Sequence, residues 1–179
     1  MYLYYYSITI LVLCSTLSHL SAANVIPKTQ VHVRDGIPNG IPVDIAPFKK
    51  IGDKYYFIEE GVALNWFEAD HKCHQLGGHL LHLESEAELK AIEQHMTGRH
   101  YYWTDITDLG QSGNYVSTTT GLKATFLKWL PNEPNNYGGN EHCIHLWDTN
   151  HSMNDYNCKQ PLHFICEKNS PRTVSVVVW

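Results

Sequence analysis

The sequence predicts one compact domain of mixed helix and strand, behind a removable leader and a short linker. Three observations carry that prediction. Residues 64–76 and 85–96 repeat apolar side chains at helical spacing behind capping residues. Several short runs rich in aromatic and β-branched residues read as strands. Once Cys14 is removed with the leader, four cysteines remain, Cys73, Cys143, Cys158 and Cys166, an even set suited to disulfides in an oxidising compartment. A chain of 179 residues, 43% of them hydrophobic, has the material for one core.

Residues 8–17 form an apolar run followed by the small residues Ser21, Ala22 and Ala23, the pattern of a secretory signal peptide over 1–23. The run is short for a bilayer span and is broken at Ser18 and His19, so the expectation is a secreted, extracellular protein without a membrane anchor. Residues 24–47 hold Pro27, Pro38, Pro42 and Pro47 with Gly36 and Gly40 between them and show no sustained period. They read as an extended or loosely ordered linker. The domain is expected over 48–168, with 169–179 as a tail.

Within the domain, residues 54–59 read as a strand that Gly61 ends. Asn65 and Glu68 form a capping box for the first helix, whose Trp66, Ala69, Cys73 and Leu76 share one face, so Cys73 points inward. Gly77 and Gly78 stop it. Ser85 and Glu88 suggest a second capping box, with Ala87, Leu89, Ile92 and Met96 as the apolar positions behind it. Residues 79–83 read as a short buried connection, 101–103 as a core strand, and 110–121 as loop with one weak strand. Residues 143–147 and 163–166 read as two further strands.

Composition excludes several functions. The formal charge is −5 with no block of Lys or Arg, which argues against nucleic acid and against a polybasic membrane anchor. Four cysteines without a CxxC pair argue against zinc, and they allow three disulfide pairings between which spacing does not choose. His71, His74, His79 and His82 are split by the Gly77-Gly78 break and read as solvated helix-end residues. The run from Glu141 to His145 is superficially like a zinc-protease motif. Its two histidines are three apart in a strand, however, where they face opposite sides. No nucleophile–base constellation is present, so the chain is not expected to be an enzyme.

The positive signal is residues 129–158. Glu133, Asn135, Glu141, Asn154 and Asp155 are hard oxygen donors of the kind calcium takes, in a segment that two cysteines can clamp. The chain resembles a C-type lectin-like domain over residues 48–167. The residues that carry the resemblance are Trp66, Ala69 and Cys73 in the first helix; Tyr102-Trp103-Thr104-Asp105-Ile106; Glu133-Pro134-Asn135; Glu141-His142-Cys143; Asn154-Asp155; and Cys158 leading to Phe164-Ile165-Cys166-Glu167. The tail from Thr173 to Trp179 is similar to that of some secreted fly lectins.

The resemblance implies an α+β fold, with two helices flanking small antiparallel sheets, a long calcium-binding loop and two disulfides, Cys73–Cys166 and Cys143–Cys158. It implies that the five donors hold one Ca²⁺ and, with it, two adjacent sugar hydroxyls, with a cis peptide before Pro134. The Glu-Pro-Asn order implies a preference for mannose, fucose, N-acetylglucosamine or glucose, whereas Gln-Pro-Asp favours galactose. Around a second, auxiliary ion position the chain keeps Asp108 but has Ser112, Asn136 and His142 where acids are usual, so that site is expected to be weak or empty. Met153 stands where the family usually has Trp. Trp129 and Trp147 match core tryptophans, which leaves Tyr137 and His142 for the rim of the sugar site. Asn150-His151-Ser152 is an N-glycosylation sequon. The expected partners are mannose-type glycans, as on microbial surfaces, in a recognition role. The competing expectation is a secreted lectin-like protein, reproductive or salivary, that binds galactose-type glycans or a protein. Oligomerisation would need a route other than a coiled coil or a collagen repeat.

Overall fold

The computed structural model describes residues 28–35, 45–168 and 172–178, without the side chains of 33–35 and 172–175. The expected signal peptide, Cys14 and much of the linker lie outside these residues. The chain separates into two compact units, one of 1–34 with 174–179 and one of 35–173. In the first, β1 (Thr29–Asp35) and β10 (Arg172–Val178) form a two-stranded sheet. This corrects the reading of 24–47 as linker throughout: Val31 and Val33 alternate with polar neighbours, and the valine-rich tail supplies a pairing partner far away in sequence.

The larger unit is built on an eight-stranded sheet. Its strands are β2 (Lys49–Ile51), β3 (Lys54–Leu64), β4 (His79–Leu80), β5 (Tyr102–Thr107), β6 (Val116–Ser117), β7 (Cys143–Leu146), β8 (Met153–Tyr156) and β9 (Leu162–Lys168). The order is β2-β3-β9-β5-β7-β8, with β4 also on β9 and β6 on β5. All pairs are antiparallel except β5 with β9. Thus β8, which carries Asn154 and Asp155, is a terminal strand of the path, with the long loop before β7 packed beside it.

Helix α1 (Trp66–Gln75) starts with the predicted box: Asn65 accepts from the Glu68 N–H, and the Glu68 carboxylate accepts from the Asn65 N–H. It ends in a Schellman pair, with the Gly78 N–H on Cys73 O and the Gly77 N–H on His74 O. Gly77 has φ +77°, and a Cβ on Gly78 would lie 2.4 Å from Glu167 O, so both positions require glycine. Helix α2 (Glu86–Glu93) is shorter than predicted and half-boxed. Ser85 Oγ accepts from the Glu88 N–H, but the Glu88 carboxylate turns to the Glu84 N–H, Tyr56 and Lys54. A part-buried ion pair between residues distant in sequence outcompetes the local cap.

Strand β3 runs past Gly61 to Leu64, because Glu59 Oε1 takes the Gly61 and Val62 N–H groups across an irregularity in the register with β9. Strand β8 was not predicted; four residues with two polar ones in the middle carry no alternation. His71 and His74 are exposed as expected, but His79 is buried and His82 pairs with Asp105 at 3.0 Å.

Two cores lie on either side of the sheet. One packs Leu81, Leu83, Leu89, Ile92, Tyr102, Ile106, Ile144 and Met153; the other packs Trp66, Trp103, Phe164 and all four cysteines. The disulfides are Cys73–Cys166 and Cys143–Cys158. The first spans 93 residues and ties α1 to β9; on the chain-entropy account a loop of that size contributes about 4 to 5 kcal/mol. Met153, the residue expected to stand in for a tryptophan, is fully buried in the first core, and its Sδ accepts from the Lys128 N–H at 3.4 Å.

Candidate functional site

Three of the five predicted donors are joined directly. The peptide before Pro134 is cis. Asn135 Nδ2 donates to Glu133 Oε1 at 2.8 Å, and Asp155, with no solvent exposure, accepts from the Asn135 N–H on Oδ1 and from the Asn136 N–H on Oδ2. The carboxylate on β8 therefore holds the loop against the sheet edge.

Glu141 joins through Asn136, a residue that the sequence marked only as a missing acid. Asn136 Oδ1 accepts from the Glu141 N–H at 3.0 Å, while Glu141 Oε2 accepts from the Tyr137 N–H at 2.9 Å. Asn136 sits at φ +45°, a left-handed conformation that asparagine tolerates, and a 3-10 turn, Tyr137–Gly139, follows. The Asn-Asn-Tyr-Gly-Gly run was the available signal for that turn.

The fifth donor, Asn154, is held by a residue that sequence reading left without a role. His145 is 2% exposed and lies opposite Asn154 in the β7–β8 ladder. Its Nδ1 lies 3.0 Å from Leu146 O, which can only accept, so Nδ1 carries the proton and Nε2 is the acceptor. Asn154 Nδ2 sits 3.2 Å from that Nε2 and donates to it. Burial lowers the His145 pKa to about 4, which keeps the ring neutral. The amide orientation of Asn154 follows: Oδ1 points away from His145.

That oxygen is buried without a hydrogen-bond partner, and so is Glu133 Oε2. Unpartnered buried acceptors are rare and costly. Burial, then the nearby Asp155 and Glu141 carboxylates, raise the Glu133 pKa. Burial also raises Glu141, opposed by the Tyr137 N–H and reinforced by Asp155. The site thus gathers three carboxylates and two carboxamide oxygens with no cationic side chain among their hydrogen-bond partners. Among the described residues, no three His, Cys, Asp or Glu side chains form a ready-made metal cluster. Two of the five donors are amides, and Glu141 and Asp155 turn partly onto loop N–H groups. The donor set nevertheless fits a hard cation: all oxygen, net negative, and with two acceptors unused.

The neighbouring corner differs. Asp108 is 2% exposed; its Oδ1 lies 2.8 Å from His142 Nδ1 and its Oδ2 accepts from the Gly113 N–H at 2.7 Å. His142 thus has its Nδ1 engaged by Asp108 while its side chain stays partly exposed. Tyr137 is 78% exposed. Trp129 packs on the first core and edge-on to Tyr115, as expected of a core tryptophan. Trp147 is half-buried and belongs to neither core, which corrects that expectation. Asn150 is exposed, its Oδ1 accepting from the Ser152 N–H in the turn between β7 and β8.

The family profile described as Lectin C-type domain matches residues 62–168. The chain is 41% identical over 138 residues to C-type lectin 37Db of Drosophila melanogaster, covering 73% of this chain and 91% of the relative. It is 34% identical over 164 residues to C-type lectin 37Da of the same fly, covering 85% and 88%. Among solved structures it is similar to the mouse scavenger receptor C-type lectin carbohydrate-recognition domain, with TM-score 0.65 and 26% identity, covering 74% of this chain and all of that domain.

Proposed function

The chain belongs to the C-type lectin family, whose general function is carbohydrate binding without catalysis, and we propose that it is a secreted, calcium-dependent lectin for mannose-type glycans. The observation that carries this reading is the pair of buried, unpartnered acceptors, Glu133 Oε2 and Asn154 Oδ1, within a set of three carboxylates. An oxygen lining a hole that takes an ion at about 2.3–2.6 Å is closed to water yet lacks a partner. Glu133, Asn135, Glu141, Asn154 and Asp155 would hold the ion, and bound calcium supplies open coordination positions for two adjacent sugar hydroxyls.

The chain's own residues set the selectivity. Glu133 only accepts hydrogen bonds, whereas the Asn135 amide both donates and accepts. The hydrogen bond between them fixes which edge each presents. That order supports sugars with equatorial 3- and 4-hydroxyls: mannose, fucose and N-acetylglucosamine. Asp155 preorganises the loop through the Asn135 and Asn136 N–H groups, and His145 aims Asn154. The Asp108–His142 pair supports a count of one ion per chain, since that corner already has its own cation-capable partner. Among the described residues no helix is long and apolar enough to cross a membrane. Secretion, a glycan on Asn150 and recognition of microbial glycans complete the proposal.

The deciding measurement is retention on mannose resin in calcium, with release by a chelator. Glu133→Gln with Asn135→Asp is expected to move the preference toward galactose. Retention that ignores the chelator, or a double variant that ranks mannose and galactose as the wild type does, overturns the reading.

A further inference from the structure

Beside the candidate ion site lies a small aromatic cleft that the proposed function does not use. Tyr101, His145, Trp147, Tyr156 and Leu162 line about 170 Å³. The rings brace one another: Tyr101 meets Trp147 at 5.0 Å and His145 at 5.3 Å, both edge-on, His145 stacks on Trp147 at 6.0 Å, and Tyr156 meets His145 edge-on at 5.4 Å. Tyr101, Trp147, Tyr156 and Leu162 are each only half-buried. Within the described residues, neither tyrosine hydroxyl nor the Trp147 indole N–H has a hydrogen-bond partner. The cleft therefore presents rigid apolar walls with unspent polar tips.

That combination suits one class of ligand. A pyranose ring has an apolar C–H face and a rim of hydroxyls; the face lies against the negative face of an aromatic ring, and the rim takes donors and acceptors such as phenol and indole. The volume is below the range usual for drug-sized ligands, so the cleft has room for one small ring.

Its position ties it to the ion site. His145 is a wall of the cleft and also the hydrogen-bond partner of Asn154. Tyr156 is another wall, two residues along β8 from Asn154, so their side chains share a strand face about 6.5 Å apart, the scale of one saccharide unit.

We propose that this cleft is a second saccharide subsite, which stacks the ring next to the one held at Glu133, Asn135 and Asn154, so that the protein reads glycans of two or more residues. The inference rests on the calcium-lectin reading and names the substrate class for it. The test is calorimetric titration of the calcium-loaded full chain with methyl glycosides of mannose, fucose, N-acetylglucosamine and galactose, and with disaccharides ending in each. For the sugar that binds, the best-linked disaccharide is expected to bind about 3- to 10-fold more tightly than the methyl glycoside, the range for one aromatic stacking contact. Trp147→Ala and Tyr101→Ala should bring that ratio to about one, whereas Trp147→Phe and Tyr101→Phe should keep it. Trp147→Leu, apolar but without a ring, replaces the alanine variant if that does not fold. A wild-type ratio near one for every linkage, or a ratio that survives loss of both rings, overturns the subsite while leaving the ion site standing. A wild type that binds no sugar of either length in calcium overturns both.

Discussion

Two acidic corners of the molecule, a short distance apart in the same loop system, solve the same electrostatic problem in opposite ways. At Asp108 the protein supplies its own answer: His142 at 2.8 Å and the Gly113 N–H leave neither oxygen idle. Around Glu133, Glu141 and Asp155 loop N–H groups meet Asp155 and one oxygen of Glu141 but no histidine or other basic side chain does, and Glu133 Oε2 and Asn154 Oδ1 are buried without partners. The contrast teaches where the proposed cation would find acceptors the chain leaves unused. Carboxylates with internal partners stabilise the fold by themselves, whereas carboxylates gathered without one are arranged for something the chain does not carry.

The largest effect should come from Asp155. Asp155→Asn removes a carboxylate with no solvent exposure that holds two loop N–H groups. Calcium affinity, read by titration calorimetry, should fall on the order of 100-fold, with loss of sugar retention. An unchanged affinity would erase the distinction between the two corners.

The converse experiment is Asp108→Asn. It should leave calcium binding at one ion per chain while lowering the melting temperature by several degrees, in line with ~1–3 kcal/mol for a buried group whose hydrogen bonds are left unmade. A stoichiometry of two in the wild type, falling to one in this variant, would show that Asp108 is a ligand after all.

His145 sharpens the comparison, because it is a histidine that meets a carboxamide of the proposed cation site rather than a carboxylate. His145→Phe keeps the ring but removes the acceptor that orients Asn154, and should weaken calcium about 10-fold. His145→Gln restores an acceptor and should recover much of the loss. Equal losses in both variants would reduce His145 to packing.

The smallest effect concerns a third acid, Asp105, whose Oδ2 pairs with His82 at 3.0 Å although its Oδ1 is buried without a partner. The hydrogen bond to Asp105, opposed by burial, raises the His82 pKa above its ordinary value. A raised folded pKa means that this stabilisation is complete below the unfolded value, about pH 6.5, and is lost as pH rises through the folded value. The melting temperature should therefore decline over that window in the wild type and less so in His82→Asn.

Much of the fold was legible because its signals are local. The Asn65–Glu68 box, the Trp66-Ala69-Cys73 face and the Gly77-Gly78 stop all act within one or two helical turns, and each is found where its spacing puts it. The readings that failed are those in which a distant partner overrides a local one. Glu88 abandons Ser85 for Lys54 and Tyr56, more than thirty residues away. Strand β1, with only Val31 and Val33 alternating, exists because β10 pairs with it, and β8, with no alternation, because β7 does. Trp147 looked like a core residue from its place in the chain and lies outside both cores.

By itself, the sequence displayed the candidate donors and the local elements: five hard oxygen donors in one stretch, the Glu-Pro-Asn order, four cysteines within the domain and two capped helices. Tertiary structure alone decided how those donors are used. It put Asn136 between Glu141 and Asp155, turned His142 onto Asp108, set His145 behind Asn154 and braced four aromatic rings into a cleft beside it. The physical reason is range. Donor identity and helical spacing are written within a few residues, but which acceptor is left without a partner depends on strands and loops that meet across the fold.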